Sequence, residues 1–152
     1  MWEKITNILD WKLVYRPCLD KWVTDSGLVA IMGDAAHPFL PTSTQGASQA
    51  VEDGATIALC LSKAGKGNTA LALHTYFALR YEHVKAAQQV GISQRDKWHN
   101  LHDKDTLEIK EDLDTSKGIL DSYSLWAHDA EQVVEDRWEE TSKKIKERYG
   151  LQ

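Results

Sequence analysis

The stretch "GLVAIMGDAAHPFLPTSTQGASQAVEDG", residues 27–54, decides how this chain is read. Its apolar run from Leu28 to Met32 halts at Gly33-Asp34, prolines follow at 38 and 41, and small residues then recur with helical spacing. An apolar run without polar alternation is expected of a strand covered on both faces in a parallel sheet. Gly33 at its end leaves no Cβ in the way of a ligand. Asp34 falls just past the carboxyl end of the run, where open α/β sheets bind ligands, and its carboxylate can accept hydrogen bonds from sugar hydroxyls. Pro38 and Pro41 stiffen the connection. A helix starting near Gln45-Gly46-Ala47 offers free amide N–H groups and the positive end of its dipole to a negative partner. On spacing alone, a turn that Asp34 merely caps and the glycines merely permit explains the pattern equally well.

The flanks extend the pattern. "WKLVY", bounded by Arg16-Pro17, reads as a strand, and "LVAIM" follows the turn signal "TDSG". From Thr44 to about Cys60, Ala47, Ala50, Val51, Gly54, Ile57, Ala58 and Leu61 share one helical face. "GKGN" (65–68) ends that helix, and Asn68 or Thr69 can cap the next. A long helix over about 70–98 carries Leu73, Tyr76, Phe77, Val84 and Ala87 on its inner face, and "NLHDKD" breaks the pattern. A last helix is expected from about Ala127 to Tyr149, acidic in its first half and basic at its end, in accord with the helix dipole. The strand count is low for a sheet with a buried member, whose two edges both need neighbours.

A chain of 152 residues makes one domain or a piece of a larger one. Net charge is −5 with no basic stripe, which argues against nucleic acid as a partner. The start "MWEKITNILDWKL" does not read as a signal peptide, and no run approaches the ~20 apolar residues that span a bilayer. Cys18 and Cys60 form neither a disulfide framework nor a zinc site and read as reduced, packed thiols. A soluble cytoplasmic protein is expected. His99, His102 and Asp103 have metal-like spacing but no further ligand nearby, so no metal is assigned. Trp98, Trp126 and Trp138 fit helix packing. The serines and histidines form no nucleophile constellation, and no catalytic acid or base is identified.

"GDAAHPFLPTSTQGASQAVEDG" resembles the third conserved motif of the salicylate hydroxylase-like FAD-dependent aromatic hydroxylases, the class A flavoprotein monooxygenases. "WKLVYRPCLDKWVTDSGLVAIMGD" is similar to that family's approach strand. "HTYFALRYEHVKAAQQVGISQRDKWHN" is similar to its following long helix, and "LWAHDAEQVVEDRWEE" to the closing segment of many fungal members. The resemblance implies an α/β class. It makes the chain the C-terminal part of an FAD/NAD(P)-binding fold, helix-rich with a few strands and a long C-terminal helical region. Residues 1–152 would form one partial domain, with about 11–98 the flavin-site strand, loop and helices and about 99–152 a helical extension.

The same resemblance implies FAD as cofactor. Asp34 would bond its ribityl chain and Gly33 would permit the approach. The amides around Gln45, Gly46 and Ala47 would face the flavin, and Pro41, with Pro38, would line the flavin and substrate side. It further implies NAD(P)H as electron donor and hydroxylation of an aromatic small molecule, in secondary metabolism or aromatic catabolism. The family's opening G-x-G-x-x-G and its middle Asp-Gly motif have no counterpart in these residues. FAD binding is therefore expected to be weak or to depend on a partner, either a complementing chain or a homo-oligomer. A split subunit and a non-catalytic remnant acting as a binding module stay open beside the enzyme reading.

Overall fold

The computed structural model describes residues 7, 9, 10, 15–102 and 125–151. Three helices carry the architecture: α1 over Gly46–Ala64, α2 over Thr69–His102 and α3 over Ala130–Tyr149. Each packs against the other two. A non-helical segment from Tyr15 to Gln45 wraps one side of α2 and holds two 3-10 turns, Gly33–Ala35 and Pro41–Ser43. The core is Trp22, Val23 and Ala36 from this segment, Cys60 from α1, Ala72, Leu73, Tyr76, Leu79 and Val84 from α2, and Val134 and Trp138 from α3. Trp22 is its hub: the ring packs against His37, Tyr76, Phe77 and Tyr81, and its indole N–H donates to the Leu19 carbonyl at 2.7 Å. A buried Trp needs such a partner for its polar edge.

The local rules account for the helix ends. Asp129 stands before α3 and its carboxylate accepts from the Gln132 amide at 3.0 Å, while Lys146 and Arg148 occupy the last turn, where cations suit the dipole. α3 buries Val134, Trp138, Ser142 and Ile145, spaced three to four residues apart. It starts at Ala130 rather than Ala127 because Asp129 takes the cap. α2 runs on to His102, past the expected end near Trp98. The side chains of Trp98, His99 and His102, together with Asp103, lie outside the described residues, as does most of "WKLVY".

Two expectations are corrected. Leu28 to Met32 is not a strand, and there is no strand among the described residues; the run is extended and makes one antiparallel bridge, Val23 to Ala30. The Thr24 and Ile31 amides donate to the Val29 and Trp22 carbonyls, closing a hairpin-like turn at Gly27. A run this apolar forms a strand only when neighbours cover it, and here Leu28 and Val29 are 67% and 58% exposed. The α part of the α/β reading stands, as a helix-rich part of an FAD-binding fold; among the described residues the β part is limited to this bridge.

The face that α1 buries is mostly polar. The stripe Ala47, Ala50, Val51, Gly54, Ile57, Ala58 and Leu61 is the kind a surface helix turns to its core. Instead Gln49, Asp53, Thr56 and Cys60 face inward, Ile57 is partly buried against the core, and Ala47, Val51, Ala58 and Leu61 are exposed. Trp126, expected to pack, is also exposed. α1 is amphipathic with its apolar side outward, continuous with the run at 28–32: Met32 reaches toward Gly54, and Ala50 sits against Gly33.

Candidate functional site

Gly33, Asp34 and the N-terminus of α1 come together around an open cleft of about 460 Å³, lined by Asp34, Phe39, Leu40, Pro41, Thr44, Gly46, Ala47 and Ala50. Asp34, Pro41, Gly46 and Ala47 thus share one cavity. Gly33 is buried directly behind Asp34, at a φ of +56° that a side chain would strain. Gln45 is buried and is absent from the cleft lining; its side-chain oxygen accepts from the Ser48 hydroxyl. The amide of Gln45 donates to Ser43 Oγ, and no side chain caps α1. The first amides of α1 lack intrahelical acceptors, and Gly46 and Ala47 at this helix start line the cleft. A Cβ on Gly46 would stand 3.8 Å from Asp34 Oδ1 and 3.4 Å from Phe39 Cβ, so glycine keeps this mouth clear.

α2 shapes the cleft from behind. Gln88 donates to the Pro38 carbonyl at 2.9 Å and accepts from the Cys18 amide at 2.9 Å, clamping the wrapping segment at two points. Gly91 lets Ser43 approach so closely that a Cβ there would lie 2.7 Å from Ser43 Cβ.

Beneath the cleft lies a charged cluster around Arg80, to which no motif of the sequence points. Arg80 is 1% exposed. Its Nε donates to Asp53 Oδ1 at 2.9 Å, one Nη to Glu52 Oε2 at 2.6 Å, and the other to Gln49 Oε1 at 2.7 Å. Asp53 Oδ2 accepts from the Gly33 amide at 2.9 Å and bonds His37 Nε2 at 2.6 Å. Burial alone would raise the Asp53 carboxyl; bonds from His37, Gly33 and Arg80 more than offset it and hold the group below its ordinary range. Burial pushes Glu52 up, with Arg80 only partly opposing. A signal for this cluster was present. Leu73, Tyr76, Arg80, Val84 and Ala87 form one helical stripe, and a charge within an apolar stripe requires a buried partner.

His83 and His128 complete the cluster, with ligand atoms that lie within 4.8 Å of one another and of Glu52. The arrangement is better served by Arg80 than by a metal ion. Arg80 Nη1 already contacts Glu52 and approaches His128 Nε2 at 3.3 Å. The two imidazoles stack at 3.6 Å and 18°, so they cannot aim both lone pairs at one ion without turning. Burial, with the neighbouring charges of His128 and Arg80, lowers His83 to about 3.

Residues 17–90 match the FAD binding domain family. The FAD-dependent monooxygenase notI' of Aspergillus versicolor is 39% identical over 139 residues, covering 91% of this chain and 30% of the relative. Among solved structures, CtdE in complex with FAD and substrate 4 superposes with a TM-score of 0.67 at 30% identity, over 84% of this chain and 29% of CtdE. FqzB superposes with a TM-score of 0.68 at 30% identity, over 92% of this chain and 31% of FqzB. The helices are thus a fragment of an FAD-binding fold. The chain is similar to a part of the FAD-dependent monooxygenases of the aromatic-hydroxylase type, and it spans less than a third of each of these three proteins. No helix among the described residues is long and apolar enough to cross a membrane.

Proposed function

We propose that this chain supplies the flavin-ring end of an FAD site in a monooxygenase that hydroxylates an aromatic or related small molecule. The observation that carries this reading is the Asp34 carboxylate standing beside the uncapped N-terminus of α1 at the mouth of an open cleft. The donor set fits the cofactor: an acceptor for ribityl hydroxyls, free amides and a helix dipole for negative charge, and glycines where bulk would intrude. Asp34, Gly46 and Ala47 would hold the flavin, with Gly33 permitting the approach, Pro41 on the ring side and Gln45 contributing only through its backbone. When bound, FAD supplies the electron transfer and oxygen activation. This chain's residues orient it and stabilise charge on it. NAD(P)H as donor, and a setting in secondary metabolism, follow from the same family likeness.

The outward apolar face of α1 favours a chain that works covered by further protein, as the remaining length of the relatives would provide. That observation argues against a free-standing binding module. A fluorescence titration with FAD and an oxygen-uptake assay, with and without a candidate chain carrying G-x-G-x-x-G, test the reading. Weak FAD binding alone and turnover only with the partner support it. A partner that restores neither binding nor turnover rejects it.

A further inference from the structure

We propose that Asp53 is the positioning residue of the cofactor cleft, fixing through the Gly33 amide the turn that aims Asp34. The inference rests on the reading of Asp34 as a flavin ligand. The Asp34 side chain makes no hydrogen bond among the described residues, so no side-chain bond holds it and its position follows the backbone turn that carries it. That backbone is a single 3-10 turn tied at both ends. At one end the Gly33 carbonyl accepts from the amides of Ala36 and His37, both at 2.9 Å. At the other, the Gly33 N–H reaches 2.9 Å into the protein to Asp53 Oδ2.

Asp53 in turn cannot rotate freely. Oδ1 is taken by Arg80 on α2, and Oδ2 is shared with His37, which lies three residues after Asp34. Its carboxylate is fully buried, and so are the His37 ring and Arg80, which is itself locked by Glu52 and Gln49. Three donors, two from the wrapping segment and one from α2, fix the plane of one carboxylate, and that plane fixes a left-handed glycine. Substitution at Asp53 releases the turn without touching the cleft, which none of its side-chain atoms lines.

The test follows the Gly33 amide by NMR in the full chain, through acid titration and hydrogen exchange, in wild type and Asp53→Asn. FAD affinity is measured by fluorescence in both and in Asp34→Ala and the double variant. We expect the wild-type Gly33 amide shift to follow the titration of the Asp53 carboxyl carbon. In Asp53→Asn, Gly33 exchange should accelerate by about tenfold or more while Val84 and Ala87 keep their protection. FAD affinity should fall about tenfold, and the double variant should lose no more than Asp34→Ala alone, because both changes remove one interaction. A Gly33 shift independent of Asp53, unchanged exchange in Asp53→Asn, or additive losses in the double variant would overturn the proposal. Should Asp53→Asn lose protection throughout, the wild-type titration decides. Should the wild-type chain take up no FAD, the flavin reading fails for the isolated chain, and the Gly33 measurements still decide whether Asp53 holds the turn.

Discussion

The Asp34 carboxylate stands 3.8 Å from the point a Cβ on Gly46 would occupy, so a residue just after the apolar run and the first residue of α1 frame one opening. Both sides of this pair are testable. Asp34→Ala should weaken FAD binding by about 1.5–3 kcal/mol, the range for a hydrogen bond to a charged group. Gly46→Leu should abolish it by filling the mouth of the cleft. Its thermal stability should hold or rise by up to about 1 kcal/mol, since leucine favours a helix over glycine. Unchanged FAD affinity in Gly46→Leu would place the cofactor elsewhere.

Gly91 and Ser43 offer a second test, in which two magnitudes oppose. Replacing a mid-helix glycine by alanine gains about 0.5–1 kcal/mol of helix propensity. Here the added methyl would lie 2.7 Å from Ser43 Cβ, on a buried residue whose hydroxyl bonds the Leu40 carbonyl at 2.7 Å. Overpacking costs about 1–3 kcal/mol, which exceeds the gain. Gly91→Ala should therefore lower the urea midpoint, and Ser43→Gly should restore it in the double variant. Stabilisation by Gly91→Ala alone would show that the loop yields freely.

The parts of the site that were legible are those fixed by local chemistry. Gly33, Asp34 and Gly46 announced themselves by where backbone must turn or be approached, and no partner is needed to read that. The inward face of α1 was hidden, because periodicity marks an apolar stripe but not what lies against it. Gln49, Asp53 and Thr56 are buried by their bonds with Arg80, the Gly33 amide and the Glu52 carbonyl rather than by hydrophobicity. Leu28 to Met32 reads as a strand because its composition is that of a covered one. The cover is missing from the described residues, so an extended segment remains. The Arg80 stripe could have been caught by asking where a charge among Leu73, Tyr76 and Val84 finds its counterion.

The exposed apolar surface leads to a third prediction. Val51 is 73% exposed, Leu28 67% and Val29 58%, on the flank that includes the open side of α1. Surfaces of this kind associate. Sedimentation should show concentration-dependent self-association of the isolated chain. Val51→Asp combined with Leu28→Asp should suppress it while shifting stability by no more than about 0.5 kcal/mol per site, as for exposed positions generally. A monomer at every concentration, with no binding of a hydrophobic dye, would contradict it.

Acid should destabilise the fold over the histidine range, ahead of the carboxylates. His83 is lowered from 6.5 to about 3, first by burial and then by the charges of His128 and Arg80; burial lowers His128 and His74 as well. For each, the native state prefers the neutral ring, so the unfolded chain binds more protons below pH 6.5. Their contribution is fully present above pH 6.5 and drains away as pH falls toward 3. Asp53, held below 3.8, adds a loss of the same sign at the acid end. Glu52 opposes them: its raised carboxyl favours the protonated form in the fold, so its contribution is present at low pH and lost as pH rises through its native value. Three imidazoles and one carboxylate outweigh that single opposing group. The urea midpoint should therefore fall steadily from pH 7 to pH 4.5. His83→Gln, which removes the most strongly shifted ring, should flatten the slope between pH 6.5 and 4.5 while leaving the midpoint at pH 7.5 less affected. A slope in His83→Gln equal to the wild type would mean that the ring between Glu52 and His128 takes up its proton without strain, and the acid response would then belong to Asp53 and the other two histidines.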